Sequence, residues 1–377
     1  MKAYALTCVL AAVVTFGCSK SENDIKADVE EQPKGDADYT LLVNTNGKFK
    51  ATSVQGNSEK LSPNEKDSDF QEIAEPLLIS EEGKVVTMYL KDSACSGEII
   101  VHDFSQDTST EKDVFTDLSA CNLIPKAIVK GGNKVYIAYE KEINGQNKGF
   151  WVRAIEMSET ETASEDIALT YRPEEMVFSN DKLFILGMDE EITDEHKLMV
   201  IDFASDKAIT FKNLGYDART ILKNSQGNVV VGYDEMHVIY DSATMVSEQT
   251  NYLEGKAPNF FNSRLKHFDS NGKMYYAMTA NAYSEYPKVP AIYDFDENLV
   301  KLYAFENFLT EAQRDHEFAI ENTTVVHYDE ANNMLLVGYK KSGENNAGGM
   351  LRIQLEPNPK LAGYLDVMGV PVTIFVN

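Results

Sequence analysis

Short runs of apolar residues, alternating with polar positions, recur about every 48 residues along most of this chain. Alternation with a period of two residues predicts β-strands with one side packed and the other side more polar. Each run follows a turn that contains Gly, Asn or Asp, which is the usual composition of a β-hairpin turn. Six runs have this form: VVTMYL, VYIAYE, LFILGM, VVVGYD, MYYAMT and LLVGYK.

A third strand follows several of these hairpins and ends in an apolar residue and an aspartate. An Asp side chain favours a tight turn because it accepts a hydrogen bond from the backbone two residues further on. We therefore predict that these aspartates form turns, and that they neither bind calcium nor take part in catalysis. The four aspartates are Asp103, Asp202, Asp241 and Asp294.

Four-stranded repeats of this length predict a single all-β domain, a seven-bladed β-propeller, over residues 38–377. One repeat is divided between the two ends of the domain, since residues 370–377 form a single strand and residues 39–54 form a hairpin. Pairing these segments would close the ring and remove an exposed sheet edge. The other six blades are predicted to begin near Pro76, Pro125, Pro173, Arg219, Arg264 and Thr323.

The first 17 residues have the pattern of a targeting segment, with Lys2 before an apolar stretch over residues 3–16. Cleavage after Gly17 would leave Cys18 at the new N-terminus, and residues 15–18 resemble the lipobox of a bacterial lipoprotein. They depart from it in lacking the usual Leu three places before the cysteine. An ordinary secretory signal, with Cys18 left free, is the alternative. Residues 18–37 are polar and acidic and predict a flexible tether.

Two further cysteines fall in loops of one predicted blade. Cys95 lies between its second and third strands, and Cys121 lies in the connection that leaves the blade. Both loops belong to the same face of a propeller, so a disulfide between them is reasonable in an oxidising compartment. Two unpaired thiols are the alternative. No second pair of Cys or His residues accompanies them at the spacing of a zinc site.

The chain has 35 basic and 60 acidic residues, for a net charge of −25, which disfavours nucleic acid as a partner. The sequence contains no nucleophile elbow, zinc-protease motif, phosphate loop or dinucleotide fingerprint, so we expect no metal or cofactor. His102, His237 and His327 fall within predicted strands, where a structural role is expected. An enzyme is not favoured, although a lactonase-like hydrolase stays open because propellers can distribute catalytic residues over several blades.

Cations mark the start of the innermost strand in four consecutive blades, where that strand enters the central channel. Arg314 lies in a long loop on the same face. Guanidinium groups suit bidentate capture of carboxylate, phosphate or catecholate oxygens. These positions predict a cationic sector at the mouth of the channel. The four are Lys126, Arg172, Arg219 and Arg264.

Aromatic residues in nearby segments would supply walls for a ligand, and Trp151, Tyr283 and Tyr286 are the candidates. The two tyrosines belong to residues 280–290, a stretch with two prolines that predicts a preorganised arm. The alternative interpretation is that the arginines form surface ion pairs, since Glu174 follows Arg172 closely. Such pairs contribute well under about 1 kcal/mol each to stability.

The lipobox, the acidic tether, the divided blade and the hairpin YTLLVNTNGKFKATSVQGN together resemble a family of Bacteroidetes-type outer-membrane lipoproteins. Those proteins accompany TonB-dependent receptors in siderophore uptake, and YncE-like and cobamide-binding propellers are wider relatives. The resemblance implies a lipid-anchored protein at the cell surface, which captures a ferric siderophore or another bulky nutrient and delivers it to the receptor. The cationic sector suits an anionic, aromatic metal chelate. A scaffold that docks on an outer-membrane receptor is the main alternative.

Overall fold

The computed structural model describes residues 37–57, 60–64, 68–91, 96–118, 123–143, 148–158, 164–205, 207–343 and 346–377. Cys18, Cys95 and Cys121 lie outside these ranges, as does the targeting segment, so the lipid attachment and the disulfide stay predictions. Within the described ranges no helix has the length and apolar character needed to cross a membrane.

The described strands form seven antiparallel sheets, and in six of them each strand pairs with the next along the chain. We call the sheets blades 1 to 7, and we name their strands a to d from the channel outward. Blades 2, 3 and 4 contain β5 (Leu78–Glu82), β6 (Val85–Lys91), β7 (Gly97–Asp103), β8 (Thr108–Val114), β9 (Ile124–Gly131), β10 (Lys134–Glu142), β11 (Lys148–Glu156), β12 (Ser164–Leu169), β13 (Arg172–Ser179), β14 (Lys182–Met188), β15 (His196–Asp202) and β16 (Lys207–Gly215).

The next three blades repeat the same order. Blades 5, 6 and 7 contain β17 (Thr220–Lys223), β18 (Val229–Gly232), β19 (Met236–Tyr240), β20 (Ser247–Asn251), β21 (Lys266–Phe268), β22 (Met274–Thr279), β23 (Lys288–Asp294), β24 (Leu299–Leu302), β25 (Ile320–Asp329), β26 (Met334–Lys341), β27 (Gly348–Gln354) and β28 (Lys360–Val367). Three short helices lie between strands of this part of the chain: the 3₁₀-helices Phe260–Asn262 and Phe305–Asn307 and the π-helix Gln313–Glu317.

Blade 1 joins the two ends of the described chain and closes the ring. Its innermost strand is the last one, β29 (Val370–Val376), which pairs with β1 (Ala37–Thr45). The strand β2 (Lys48–Gly56) follows, and it pairs with both β3 (Leu61–Pro63) and β4 (Ile73–Ala74). The predicted seven-bladed propeller, with its ring closed between the N- and C-terminal strands, is therefore confirmed.

Apolar side chains fill the space between neighbouring blades, as the two-residue alternation predicts. In β14, Leu183 and Ile185 pack against blade 3, whereas Phe184 and Leu186 point the other way and pack against blade 5. Seven such clusters of buried residues exist among the described residues, one at each junction between adjacent blades. Since every blade is covered on both sides, each strand b reads as an almost continuous apolar run.

The aspartates that close strand c form turns, as predicted. A carboxylate oxygen of Asp103 accepts hydrogen bonds from the backbone N–H of Ser105 at 2.8 Å and from its hydroxyl. The hydroxyl bond is the main cause of the lowered pKa of Asp103. Asp241 accepts in the same way from the N–H groups of Ala243 at 3.1 Å and Thr244 at 2.6 Å. These carboxylates are occupied by their own turns.

The two faces of the ring carry different connections. Strand a starts at one face, which we call the upper face, and this face also carries the b–c loops and the connections between blades. The a–b and c–d turns form the lower face. Because β1 is a strand b, it starts at the lower face, and the backbone N–H of Asn377 donates to the Asp38 carbonyl there at 2.9 Å. The first described strand therefore begins at the lower face, at Ala37.

Candidate functional site

A channel of about 990 Å³ runs through the centre of the ring. The innermost strands of blades 2 to 7 line it, because strand a of each blade faces the axis. Its size falls within the range of pockets that hold small-molecule ligands, about 300 to 1,000 Å³. The channel is therefore large enough to hold a small-molecule ligand.

Blade 6 supplies a group of cations to the upper end of this channel. Arg264 lies two residues before β21, and Lys266 is the first residue of that strand. Both side chains line the channel. The ammonium of Lys266 donates to the Ser263 carbonyl at 2.7 Å, and that of Lys288 donates to the neighbouring Asn262 carbonyl at 3.1 Å. Both lysines thus bind the loop that leads into β21. The positive charge of Lys288 also helps to lower the pKa of Lys266, after the larger effect of burial.

Arg264 is exposed at the channel mouth, and it makes no hydrogen bond or ion pair with any residue that the structure describes. Enough protein nevertheless surrounds its guanidinium to lower the pKa of that group, and the charge of Glu75 opposes the shift. A guanidinium stays protonated at neutral pH in any protein environment. Arg264 therefore offers a full positive charge and unused donors to a ligand.

Lys266 and Lys126 both line the channel, and each faces a carboxylate. Burial lowers the pKa of the Lys266 ammonium, and Glu175 opposes this shift. Glu175 is itself held by the Thr220 hydroxyl at 2.5 Å and by a backbone N–H at 2.8 Å. Lys126, in blade 3, forms an ion pair with the buried Glu140 at 3.2 Å. Arg264 of blade 6 therefore differs from Lys126 in having no carboxylate partner among the described residues.

The other two predicted cations of this register lie outside the channel lining and form ion pairs. Arg172 forms ion pairs with Glu174 at 2.7 Å and with Glu190 at 2.5 Å. Arg219 forms one with Asp234 at 2.8 Å, and this pairing raises the pKa of the arginine. Neither arginine lines the channel, whereas Lys126 and Arg264 do. The structure brings two of the four cations to the channel and leaves two in ion pairs nearer the outside.

The remaining predicted site residues lie in three separate segments of the structure. Arg314 lies in the π-helix and donates to the Leu309 carbonyl at 3.3 Å. Trp151 lies on β11 of blade 3, where its ring stacks on Tyr139 with 5.6 Å between ring centroids. Tyr286 is buried with 3% of its surface exposed, but Tyr283 is 99% exposed. None of these four residues lines the channel.

Polar contacts between adjacent and between distant blades cross the lower half of the channel. Glu81 of blade 2 accepts a hydrogen bond from the Thr373 hydroxyl of blade 1 at 2.5 Å and lies 3.2 Å from Nδ1 of His267 in blade 6. The ring of His267 lies 4.1 Å from that of His327. At the next residue of β5, Glu82 of blade 2 forms an ion pair with Lys223 of blade 5. These contacts form a floor for the cationic upper end.

The floor does not have the form of a metal site. His327 accepts a hydrogen bond at Nδ1 from the backbone N–H of Tyr328 at 2.8 Å, and Nδ1 of His267 faces Glu81. Burial lowers the pKa of both histidines. Across the described ranges, no group of three His, Cys, Asp or Glu side chains is arranged to hold a metal ion.

Sequence reasoning missed Lys266, Lys288 and the floor. Lys266 stands two residues after Arg264, so the strand period of two places both side chains on the same side, and this signal was available. Lys288 begins a strand c, and only the folded ring brings it to the loop that leads into β21. The contact between Glu81 and His267 joins blades distant in sequence, and no local pattern marks it.

Comparison with protein-family models and with curated proteins finds no match. Among solved structures, a puromycin hydrolase is similar with a TM-score of 0.50 and 10% identity, over 91% of this chain and 55% of that chain. This chain thus spans about half of the hydrolase, and the likeness at this identity shows the fold alone.

Two other solved structures have slightly lower scores. A hypothetical selenium-binding protein from Sulfolobus tokodaii has a TM-score of 0.49 and 11% identity, over 92% of this chain and 94% of that one. The β-propeller domain of the Trilobed protease from Pyrococcus furiosus has a TM-score of 0.49 and 10% identity, over 87% and 94%.

Proposed function

We propose that this protein is a binding protein that captures an anionic small molecule at the upper end of its central channel. The observation that carries the proposal is Arg264, a guanidinium that lines the channel and has no hydrogen-bonding partner among the described residues. Lys266 and Lys288 stand beside it on the same blade. In a protein of net charge −25, such a group of cations focuses an anion into the channel.

The ligand class that suits this mouth is an anionic metal chelate rich in oxygen, with a ferric siderophore of the tris-catecholate type as the leading candidate. Catecholate oxygens accept hydrogen bonds from guanidinium and ammonium groups. The channel volume of about 990 Å³ is large enough for a bulky ligand. The resemblance to siderophore-uptake lipoproteins supports the same class.

The cellular setting of the proposal follows from the N-terminal sequence. Lipid attached to Cys18 would anchor the protein to the outer membrane, and a TonB-dependent receptor would accept the captured ligand at the cell surface. A disulfide between Cys95 and Cys121 completes this proposal. Mass spectrometry of the protein purified from membranes, before and after reduction, would test both cysteine modifications.

Isothermal titration calorimetry on the full chain in detergent tests the capture step. A ferric tris-catecholate is titrated at low and at high salt, and a neutral ferric trihydroxamate of similar size serves as the control ligand. We expect saturable binding of the catecholate with a dissociation constant near 1 μM or tighter, which corresponds to about −8 kcal/mol. Salt should weaken it because the contacts are ionic. The neutral chelate should bind at least ten times more weakly.

Three outcomes of this titration would count against the proposal. Equal binding of the charged and the neutral chelate would remove the role of the cations. Binding that does not change with salt would do the same. Failure of the catecholate, a cobamide and haem to saturate the protein would contradict ligand capture altogether and favour the scaffold function.

A further inference from the structure

Large apolar side chains that are exposed to solvent are concentrated on the upper face. Among the described residues, eight of the fourteen exposed large apolar side chains lie in b–c loops, in connections between blades, or at the first residue of a strand a. They are distributed around the whole ring. The eight are Leu77, Ile124, Ile143, Ile192, Tyr216, Leu253, Tyr283 and Met368. We call them the upper-face tips.

The lower face differs sharply from this. Of the same fourteen side chains, only Val246 lies in a turn of the lower face. The other five, on the outermost strands, are Ile209, Phe211, Leu299, Leu302 and Tyr364. Single exposed apolar residues are ordinary on a protein surface. What distinguishes the upper face from the lower face is that it carries eight of the fourteen.

Carboxylates accompany the upper-face tips. Seven of the eight have an acidic residue within two positions, and only Ile124 and Ile143 have a basic one. The b–c loop of blade 4 is the clearest case, since it reads DEEITDE with Ile192 in its centre, and that isoleucine is 82% exposed. The apolar tips of the upper face thus lie close in sequence to carboxylates, although Glu190 and Glu195 of the blade 4 loop are already paired with Arg172 and Lys197.

At least one tip is held in place. The backbone N–H of Ala280 donates to the Pro287 carbonyl at 3.0 Å across the base of the arm that carries Tyr283. The buried Tyr286 anchors the arm against Phe305, with 5.0 Å between ring centroids. A tyrosine that is fully exposed on a fixed loop presents a large contact area at little entropic cost, as interface hot spots do.

We infer that the upper face is a docking surface for a protein whose contact face has apolar recesses bordered by Lys and Arg side chains. We choose a partner of this kind because its basic side chains would complement the carboxylates beside the tips. The identification of the partner as a TonB-dependent receptor rests on the proposed function. The location of the docking surface rests on the tips alone.

Two other occupants fit the charges less well. An anionic lipid surface would attract the apolar tips but repel the carboxylates beside them. A second copy of the same face would bring two sets of these carboxylates together.

The test compares two variants of the full chain, purified in detergent. In the first, Ile192→Ser, Tyr216→Ser, Leu253→Ser and Tyr283→Ser are combined. The second is the matched control Val246→Ser, at a side chain 69% exposed on the lower face. Binding to purified TonB-dependent receptors of the same bacterium is measured by biolayer interferometry. We expect the combined variant to bind at least tenfold more weakly and the control to stay within twofold.

Each other result would overturn the docking surface, and each would do so in a distinguishable way. Equal binding by both variants would place the receptor elsewhere on the molecule and leave its role as partner intact. If no receptor binds but a ferric chelate still saturates the channel, the docking inference fails while ligand capture stands. Binding to anionic lipid vesicles, or a dimer that the combined variant dissolves, would assign the tips to a different occupant.

Discussion

The carboxylate of Glu81 in blade 2 lies 3.2 Å from Nδ1 of His267 in blade 6, so one contact spans the central channel. Burial raises the pKa of Glu81 to about 8, and burial lowers the pKa of His267 well below its ordinary value. Both shifts favour the neutral forms. At pH 7 we therefore expect a neutral carboxylic acid beside a neutral imidazole, with no ion pair between them.

This arrangement predicts a loss of stability on the alkaline side. Above its ordinary pKa of 4.5, Glu81 releases its proton in the unfolded chain but keeps it in the folded protein until about pH 8. The free energy of unfolding should therefore fall as the pH rises through this window, by about 1 to 2 kcal/mol between pH 6.5 and 8. Urea denaturation at several pH values measures the effect. Glu81→Gln should lack it, and equal pH slopes for the two proteins would contradict the assignment.

Closure of the ring predicts a large cost for losing the last strand. Deletion of residues 370–377 removes β29, including Ile374 and Phe375, both of which are fully buried. It also exposes the edge of β1. We expect a loss of more than about 4 kcal/mol, because an entire inner strand and its two blade junctions are disrupted. Deletion of Asn377 alone is the control. A melting temperature unchanged by the longer deletion would show that the ring does not depend on this strand.

The arm of blade 6 predicts opposite outcomes for its two tyrosines. Tyr286→Ala should destabilise the protein by about 3 to 5 kcal/mol, the usual cost of removing a buried aromatic ring. Tyr283→Ala should change stability by less than about 0.5 kcal/mol, because that side chain is exposed. Thermal melts of the two variants, run side by side, measure the difference. Similar melting temperatures would mean that Tyr286 does not anchor the arm.

The architecture could be predicted from the sequence because its signals are local. Hairpin turns such as Asn180-Asp181 need backbone with positive φ, which Asn and Asp adopt more readily than most residues, and both positions have it. Strand alternation then assigns each apolar side chain to one of two neighbouring blade junctions. The closing pair β29–β1 was predictable since each end lacked a partner nearby in sequence.

The site could be predicted only in part, because register gives the position of a side chain but not its partner. Arg172 and Arg264 occupy similar positions in their blades. Glu190, from the b–c loop of the same blade, holds Arg172, whereas Arg264 lines the channel. That difference depends on loop conformation, which a repeat pattern does not encode. Trp151 likewise lies on Tyr139 in blade 3 and does not line the channel, so calorimetry is a better probe of binding than its fluorescence.

The most direct test of the central claim compares two pairs of substitutions that remove the same charge. Arg264→Gln with Lys266→Gln alters the channel mouth, and Arg172→Gln with Arg219→Gln alters the ion-paired positions. Each double variant is first checked for an unchanged melting temperature, and is then titrated with a ferric tris-catecholate by calorimetry. We predict that the first pair loses at least tenfold in affinity, about 1.4 kcal/mol, while the second stays within threefold of the unaltered protein. Equal losses, or a larger loss in the second pair, would contradict a ligand site formed by blade 6.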